Sequence, residues 1–325
     1  MNGSALECFW NNHPPPMAIS ERVAVGIALL ILTVISFILN AALGYLVWKS
    51  SVFDGLFRLH VVSLVTAALS YLLTNCSILI PTALFRVHID DPYNTILTVF
   101  DVIGYLAQIF TTTLIAVDRF VLFYIIGVHH SVVHRRHPLV YCIPALPWTA
   151  SILLTIHTNL IGCYVRTNPF TLTYTYECSE CGLYEPILYY LNHALPIITF
   201  ILYCAIYANI LVTRQRLRSG ENSRERKKAV KLVIQCSLIC AVQFISIGSF
   251  YLLPAVMNNN KLYLTMLIST LNSMANPCVM FGLQPRLRKA LVKLHHLPIS
   301  KAGGNTFVES RVVPMNPLKA IEQHS

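Results

Sequence analysis

The sequence predicts an all-α fold: a bundle of seven membrane-crossing helices, N-terminus outside and C-terminus inside, with a short amphipathic helix on the inner surface after the seventh span. Three observations predict it. Of the 325 residues, 55% are hydrophobic and 12% charged, and mean hydropathy is positive, so a soluble domain would lack the polar side chains to cover itself. Apolar runs long enough to cross a hydrocarbon core of about 30 Å recur seven times along the chain. The basic residues fall on one side of those runs.

Windows of about twenty residues place the spans near 23–48, 57–80, 94–118, 139–161, 186–212, 231–256 and 262–284. Helices satisfy their own backbone groups inside lipid, whereas barrels do not suit runs this long. The expected organisation is an extracellular N-terminus over 1–22, the seven-span domain over 23–284, the amphipathic surface helix over 285–297 and a cytosolic tail over 298–325. The opening MNGSALECFWNNHPPPMAIS lacks a positive start followed by an apolar segment. No cleavable signal is expected, and the first span itself serves for insertion.

With the N-terminus outside, only Arg22, Arg86, Arg166 and Lys261 of the 24 Lys and Arg lie at the outer side. That asymmetry sets the orientation. The formal charge of +10 then needs no nucleic acid, because an anionic cytoplasmic leaflet and acidic intracellular partners account for it. The expected location is the plasma membrane, as a multi-pass protein.

Of the ten cysteines, Cys8, Cys163, Cys178 and Cys181 fall outside, where disulfides form. Three pairings of the four are open. Cys178 and Cys181 have the spacing of half a zinc site, but without a second pair disulfides are the expectation and no metal is expected. Asn2 in Asn2-Gly3-Ser4 is an exposed glycosylation acceptor, whereas Asn75-Cys76-Ser77 lies within a helix. RQRLRSGENSRERKK, residues 214–228, reads as a cytosolic loop into which the fifth and sixth spans extend. After the seventh span, Phe281, Leu287, Leu291 and Leu294 recur at helical spacing opposite Arg286, Arg288, Lys289 and Lys293, and Pro285 suits the first turn. No cysteine follows Cys278 to anchor that helix by palmitoylation. The polar tail from about residue 300 is expected to be mobile.

Within LIAVDRFVLFY, residues 114–124, Asp118 and Arg119 stand side by side in an apolar stretch. A charge at mid-bilayer costs roughly 2.5–3.5 kcal/mol on insertion scales, so such residues sit near an interface, are paired, or are in use. Counting 1.5 Å per residue from Asn94 brings the chain to the inner interface at this pair. An ion pair there either neutralises itself or forms a two-state element. Asn276-Pro277 in the seventh span favours the second, since proline removes an intrahelical hydrogen bond and Asn276 can bond locally, giving a deformable segment.

Asp118-Arg119-Phe120 resembles the Asp-Arg-Tyr triplet that ends the third helix of rhodopsin-like (class A) G-protein-coupled receptors. Asn276-Pro277 in LNSMANPCVMF resembles that family's Asn-Pro-x-x-Tyr motif, and Asn40, Trp148 and Pro196 are weaker matches on the first, fourth and fifth spans. The resemblance covers residues 23 to about 294. It implies a receptor for an extracellular small-molecule or peptide ligand, in which Arg119, held at rest by Asp118, is released when the sixth helix swings outward and admits a heterotrimeric G protein. The departures are many: Phe120 and Met280 replace tyrosines, the second span has no acid, the sixth lacks the Cys-Trp-x-Pro signature, and Asn94 stands where a bridging cysteine is usual. In this the chain is similar to the nematode serpentine chemoreceptors.

Asp101 is the only acid in the outer half of any span, eighteen residues before Arg119. That is five turns, so both project from one face of the third helix about 27 Å apart. Amine-binding members of the resembling family carry an Asp at this spacing, which implies a cationic ligand on Asp101, although Thr270 replaces a frequent tyrosine and a buried Asp can also simply bond its neighbours. Tyr105, Gln108, Tyr189, Asn192, His193, Tyr251 and Asn272 are mixed polar and apolar candidates for the same pocket. His130, His134 and His137 in HHSVVHRRH have helical metal spacing, but a basic loop facing headgroups and the G protein is the reading kept.

No cofactor is expected: a retinal protein needs a lysine within the seventh span, and Lys261 lies only at its edge. A channel or transporter is the alternative class, and would show more ionisable residues along a path or related halves. The chain carries no nucleophile motif, paired carboxylates or phosphate loop, so an enzyme is not expected.

Overall fold

In a computed structural model, residues 5–13, 17–49, 55–121, 124, 138–216, 223–256 and 261–295 are described. Asn2, the histidines of 129–137 and the tail over 298–325 lie outside the described residues.

Seven long helical segments form the bundle, numbered here as spans in chain order: Ile19–Lys49, Gly55–Phe85, Tyr93–Val121, Pro138–Leu160, Tyr184–Arg216, Ser223–Val256 and Tyr263–Leu283. Among the described residues, five helices are long and apolar enough to cross a membrane, the first, second, third, fifth and seventh. The sixth has an apolar stretch at Ser237–Ser249. The fourth is not α-helical throughout. It opens as a 3₁₀-helix over Pro138–Ala145 and becomes α only over Leu146–Leu160. Pro144 and Pro147 explain this, because each lacks the N–H that an i→i−4 bond needs. At about 2.0 Å per 3₁₀ residue and 1.5 Å per α residue, the whole still exceeds a 30 Å core.

The second span has a π-turn at Asn75–Leu79 that turns Asn75 into the bundle, where it is wholly buried. Such single turns insert one residue and re-aim the side chains that follow. The second and third spans lie close together at Gly104, where a Cβ would stand 2.8 Å from the Ala67 carbonyl. Beside Arg119, Leu46, Phe57, Leu64, Ile115, Ile206 and Met280 belong to one buried apolar cluster. The short helix Pro285–His295 puts Leu287 fully into that cluster beside Phe281, while Leu291 is exposed at its edge.

The opposite end departs from the all-helical expectation. Between the fourth and fifth spans lies an antiparallel hairpin, β1 at Arg166–Asn168 paired with β2 at Thr173–Thr175. An N-terminal helix, α1 at Ala5–Asn12, rests against it, with Phe9 buried and the Trp10 ring edge-on to Phe170 at 5.5 Å.

Candidate functional site

Of the three possible pairings of the four cysteines, the structure has Cys8–Cys178 and Cys163–Cys181. Both cysteines of the Cys178-x-x-Cys181 spacing are thereby used as disulfides. Where a bridging cysteine is usual, Asn94 holds the hairpin by hydrogen bonds instead. Its Oδ1 accepts from the Thr167 N–H at 3.0 Å and its Nδ2 donates to the Thr167 carbonyl at 3.4 Å. One turn on, the Thr98 hydroxyl donates to the Val165 carbonyl at 2.8 Å. Arg166 fastens the hairpin outward, donating to Asp91, Ser179 and the Cys178 carbonyl.

Beneath this lid is a cavity of about 530 Å³, within the range of pockets that hold small molecules. Asp101, Tyr105, Tyr189 and Asn192 are among its walls, as the sequence led us to expect. Asp101 is 8% exposed, and no described residue donates a hydrogen bond to its carboxylate or pairs with it. Gln108 is buried but not a wall residue, and His193 stacks on Tyr189 with its Nδ1 2.6 Å from the Tyr189 carbonyl oxygen. Asn272 is half-buried and also not among the walls. The side chain of Tyr251 lies outside the described residues.

Sequence reasoning missed Tyr71, Tyr174, Glu177 and Glu185, which also line the cavity. Tyr71 and Tyr174 belong to a relay between lid and bundle, whereas Glu177 and Glu185 are exposed. The Tyr174 hydroxyl donates to Asn75 Oδ1 at 3.0 Å, and Asn75 Nδ2 donates to Thr270 Oγ1 at 3.2 Å. Tyr71 meets the same hydroxyl at 3.2 Å. Burial, then the nearby Asp101 carboxylate, pushes the Tyr174 phenol well above the usual tyrosine range, so it remains the donor. The alternation in TLTYTY was the available signal for a strand carrying that tyrosine inward.

At the other end of the third span, Arg119 points into the bundle and is 3% exposed. Its Nε lies 3.8 Å from Asp118 Oδ2, an ion pair too long for a hydrogen bond, and its guanidinium carbon stands 5.2 Å from the Phe57 ring centroid. Phe120 stacks on Tyr124 at 4.5 Å. On the seventh span Asn276 and Pro277 are buried. Asn276 does not supply the local bond that its sequence suggested, since its Nδ2 meets no acceptor among the described residues. The carbonyl that Pro277 leaves without an N–H is Ser273, and Asn40 of the first span donates to it at 3.0 Å. Trp148 of the fourth span donates to Ser63 of the second at 2.9 Å, and Ser63 meets Thr111 of the third at 2.9 Å. Two of the three weaker sequence matches, Asn40 and Trp148, thus join spans by side-chain hydrogen bonds.

Comparison with known proteins agrees with this architecture. Squid rhodopsin, a solved crystal structure, is 16% identical with a TM-score of 0.65, over 88% of this chain and 83% of that one, a likeness of fold. None of the curated proteins compared with the chain matches it. The family model described as serpentine type 7TM GPCR chemoreceptor Srx matches residues 30–281. With most of its length so matched, the chain belongs to the Srx family of serpentine seven-transmembrane chemoreceptors, which are G-protein-coupled receptors.

Proposed function

We propose that this chemoreceptor sits in the plasma membrane with its disulfide end outside. An external ligand carrying a cationic group enters the cavity beneath the hairpin and pairs with Asp101. The change is passed to the opposite end, where Arg119 leaves its resting place and a heterotrimeric G protein docks. The protein acts by coupling two conformations rather than by catalysing a reaction, and lipid headgroups hold the basic helix Pro285–His295 at the inner surface.

One observation carries this reading: the third span bears an unpaired, buried carboxylate in a cavity at one end and a buried arginine at the other. A carboxylate out of water needs a cation or donors, and a ligand is what can supply them. An ion pair loose enough to part is what a two-state element requires. A screen of amines on cells reporting G-protein activation tests it. Activation by an amine in the native receptor, lost in Asp101→Asn at equal surface expression, is the expected result; an amine response unchanged in Asp101→Asn overturns the assignment.

A further inference from the structure

The charge around the cavity is unbalanced beyond Asp101. Glu177 and Glu185 are also wall residues, and no lysine or arginine is. Arg166, which reaches Ser179 and the Cys178 carbonyl of the wall, is neutralised by Asp91 at 2.7 Å. His13, from the segment after α1, meets Glu177 Oε2 at 2.7 Å, and Asn168 donates to the same oxygen at 3.4 Å. Glu185 has no ion pair or hydrogen bond with any described residue. Two carboxylates therefore stay uncompensated, Asp101 buried at depth and Glu185 exposed at the mouth.

Their placement is axial. Asp101 lies eight residues into the third span, about 12 Å from its outer end at 1.5 Å per residue, whereas Glu185 is one residue into the fifth, at its outer end. Tyr105, one turn beyond Asp101 on the third span, and Tyr189, one turn beyond Glu185 on the fifth, are walls of the same cavity, and their rings suit an apolar chain and attract cations at their faces.

Resting on the reading of Asp101 above, we propose that the ligand is dibasic: one ammonium binds Asp101 at depth, an apolar linker runs along the Tyr189 side of the cavity, and a second ammonium binds Glu185 at the mouth. Glu177 adds to the field there, while His13 already occupies its carboxylate. The two sites differ in worth. The deep pair is shielded from water and sets affinity; the mouth pair is screened and sets the preference for a second charge.

The test uses the full-length receptor in nanodiscs, with cadaverine and its longer homologues measured against the n-alkylamines of equal chain length. At low salt the native receptor is expected to bind a diamine of matching length about three- to fivefold more tightly than its monoamine. Glu185→Gln is expected to abolish that preference and leave monoamine binding unchanged. Asp101→Asn is expected to weaken both. Equal binding of diamines and monoamines by the native receptor, or a preference that survives Glu185→Gln, overturns the second site and leaves Asp101 standing. Failure of the native receptor to bind any amine overturns both together.

Discussion

The side-chain amide of Asn40 donates to the carbonyl of Ser273 at 3.0 Å, and Ser273 is four residues before Pro277. A proline in a membrane helix leaves that carbonyl without its N–H, and a neighbouring helix has to supply one. The first span does so here, tying itself to the seventh at the weakest point of its ladder. Asn40→Ala leaves a buried acceptor unmet, at a cost of about 1–3 kcal/mol. Thermal unfolding in nanodiscs is expected to shift down by several degrees, and an unchanged midpoint would show that the bond contributes nothing.

The contacts of Arg119 predict an order of effects. Its ion pair with Asp118 is 3.8 Å long with no hydrogen bond, whereas its guanidinium lies over the buried Phe57 ring. A desolvated cation–π contact is worth about 1 kcal/mol or more, and a loose pair at an interface less. Phe57→Leu keeps an apolar side chain but removes the ring. It is expected to raise basal nucleotide exchange on the G protein about fivefold, and Asp118→Asn less. The reverse order would place the restraint on the acid.

Asn94 makes both backbone bonds to Thr167. Asn94→Ala deprives the hairpin of about 1–3 kcal/mol of local restraint. Amide exchange over Arg166–Thr175 is expected to speed up at least fivefold, while the third span keeps its protection. Exchange at the native rate would mean that the disulfides and the bonds of Thr98 and Arg166 hold the lid without Asn94.

The Tyr174–Asn75–Thr270 chain joins hairpin, second span and seventh span. Tyr174→Phe and Asn75→Ala are expected to be non-additive in thermal stability, with a coupling of about 1 kcal/mol. Additive losses would separate them.

The spans were readable because lipid imposes a long apolar run on every crossing, and the seven windows agree with the helices to within a few residues at most ends. Asp118 and Arg119 were readable because charge in such a run is costly. Less was visible where local chemistry competes. Pro144 and Pro147 change the helix type of the fourth span without interrupting its apolarity. The π-turn at Asn75 leaves no mark in a hydropathy window. The cavity was half legible: Asp101 stood out as the one acid in the outer half of a span, with Tyr105, Tyr189 and Asn192 as mixed polar and apolar candidates around it, but Tyr174 and Glu177 come from the hairpin and the segment after it, whose path depends on Asn94 and two disulfides. Those are long-range partners, and no local pattern encodes them.

In the mechanism proposed above, ligand occupancy reaches the G protein through Arg119. The most direct measurement is guanine-nucleotide exchange on a G protein by receptor in nanodiscs, native against Arg119→Ala, with binding of the activating amine followed in the same samples. Arg119→Ala is expected to bind the amine within about twofold of native, since the arginine lies about 27 Å from Asp101, and to lose stimulated exchange. Stimulated exchange at the native rate in Arg119→Ala would contradict that mechanism.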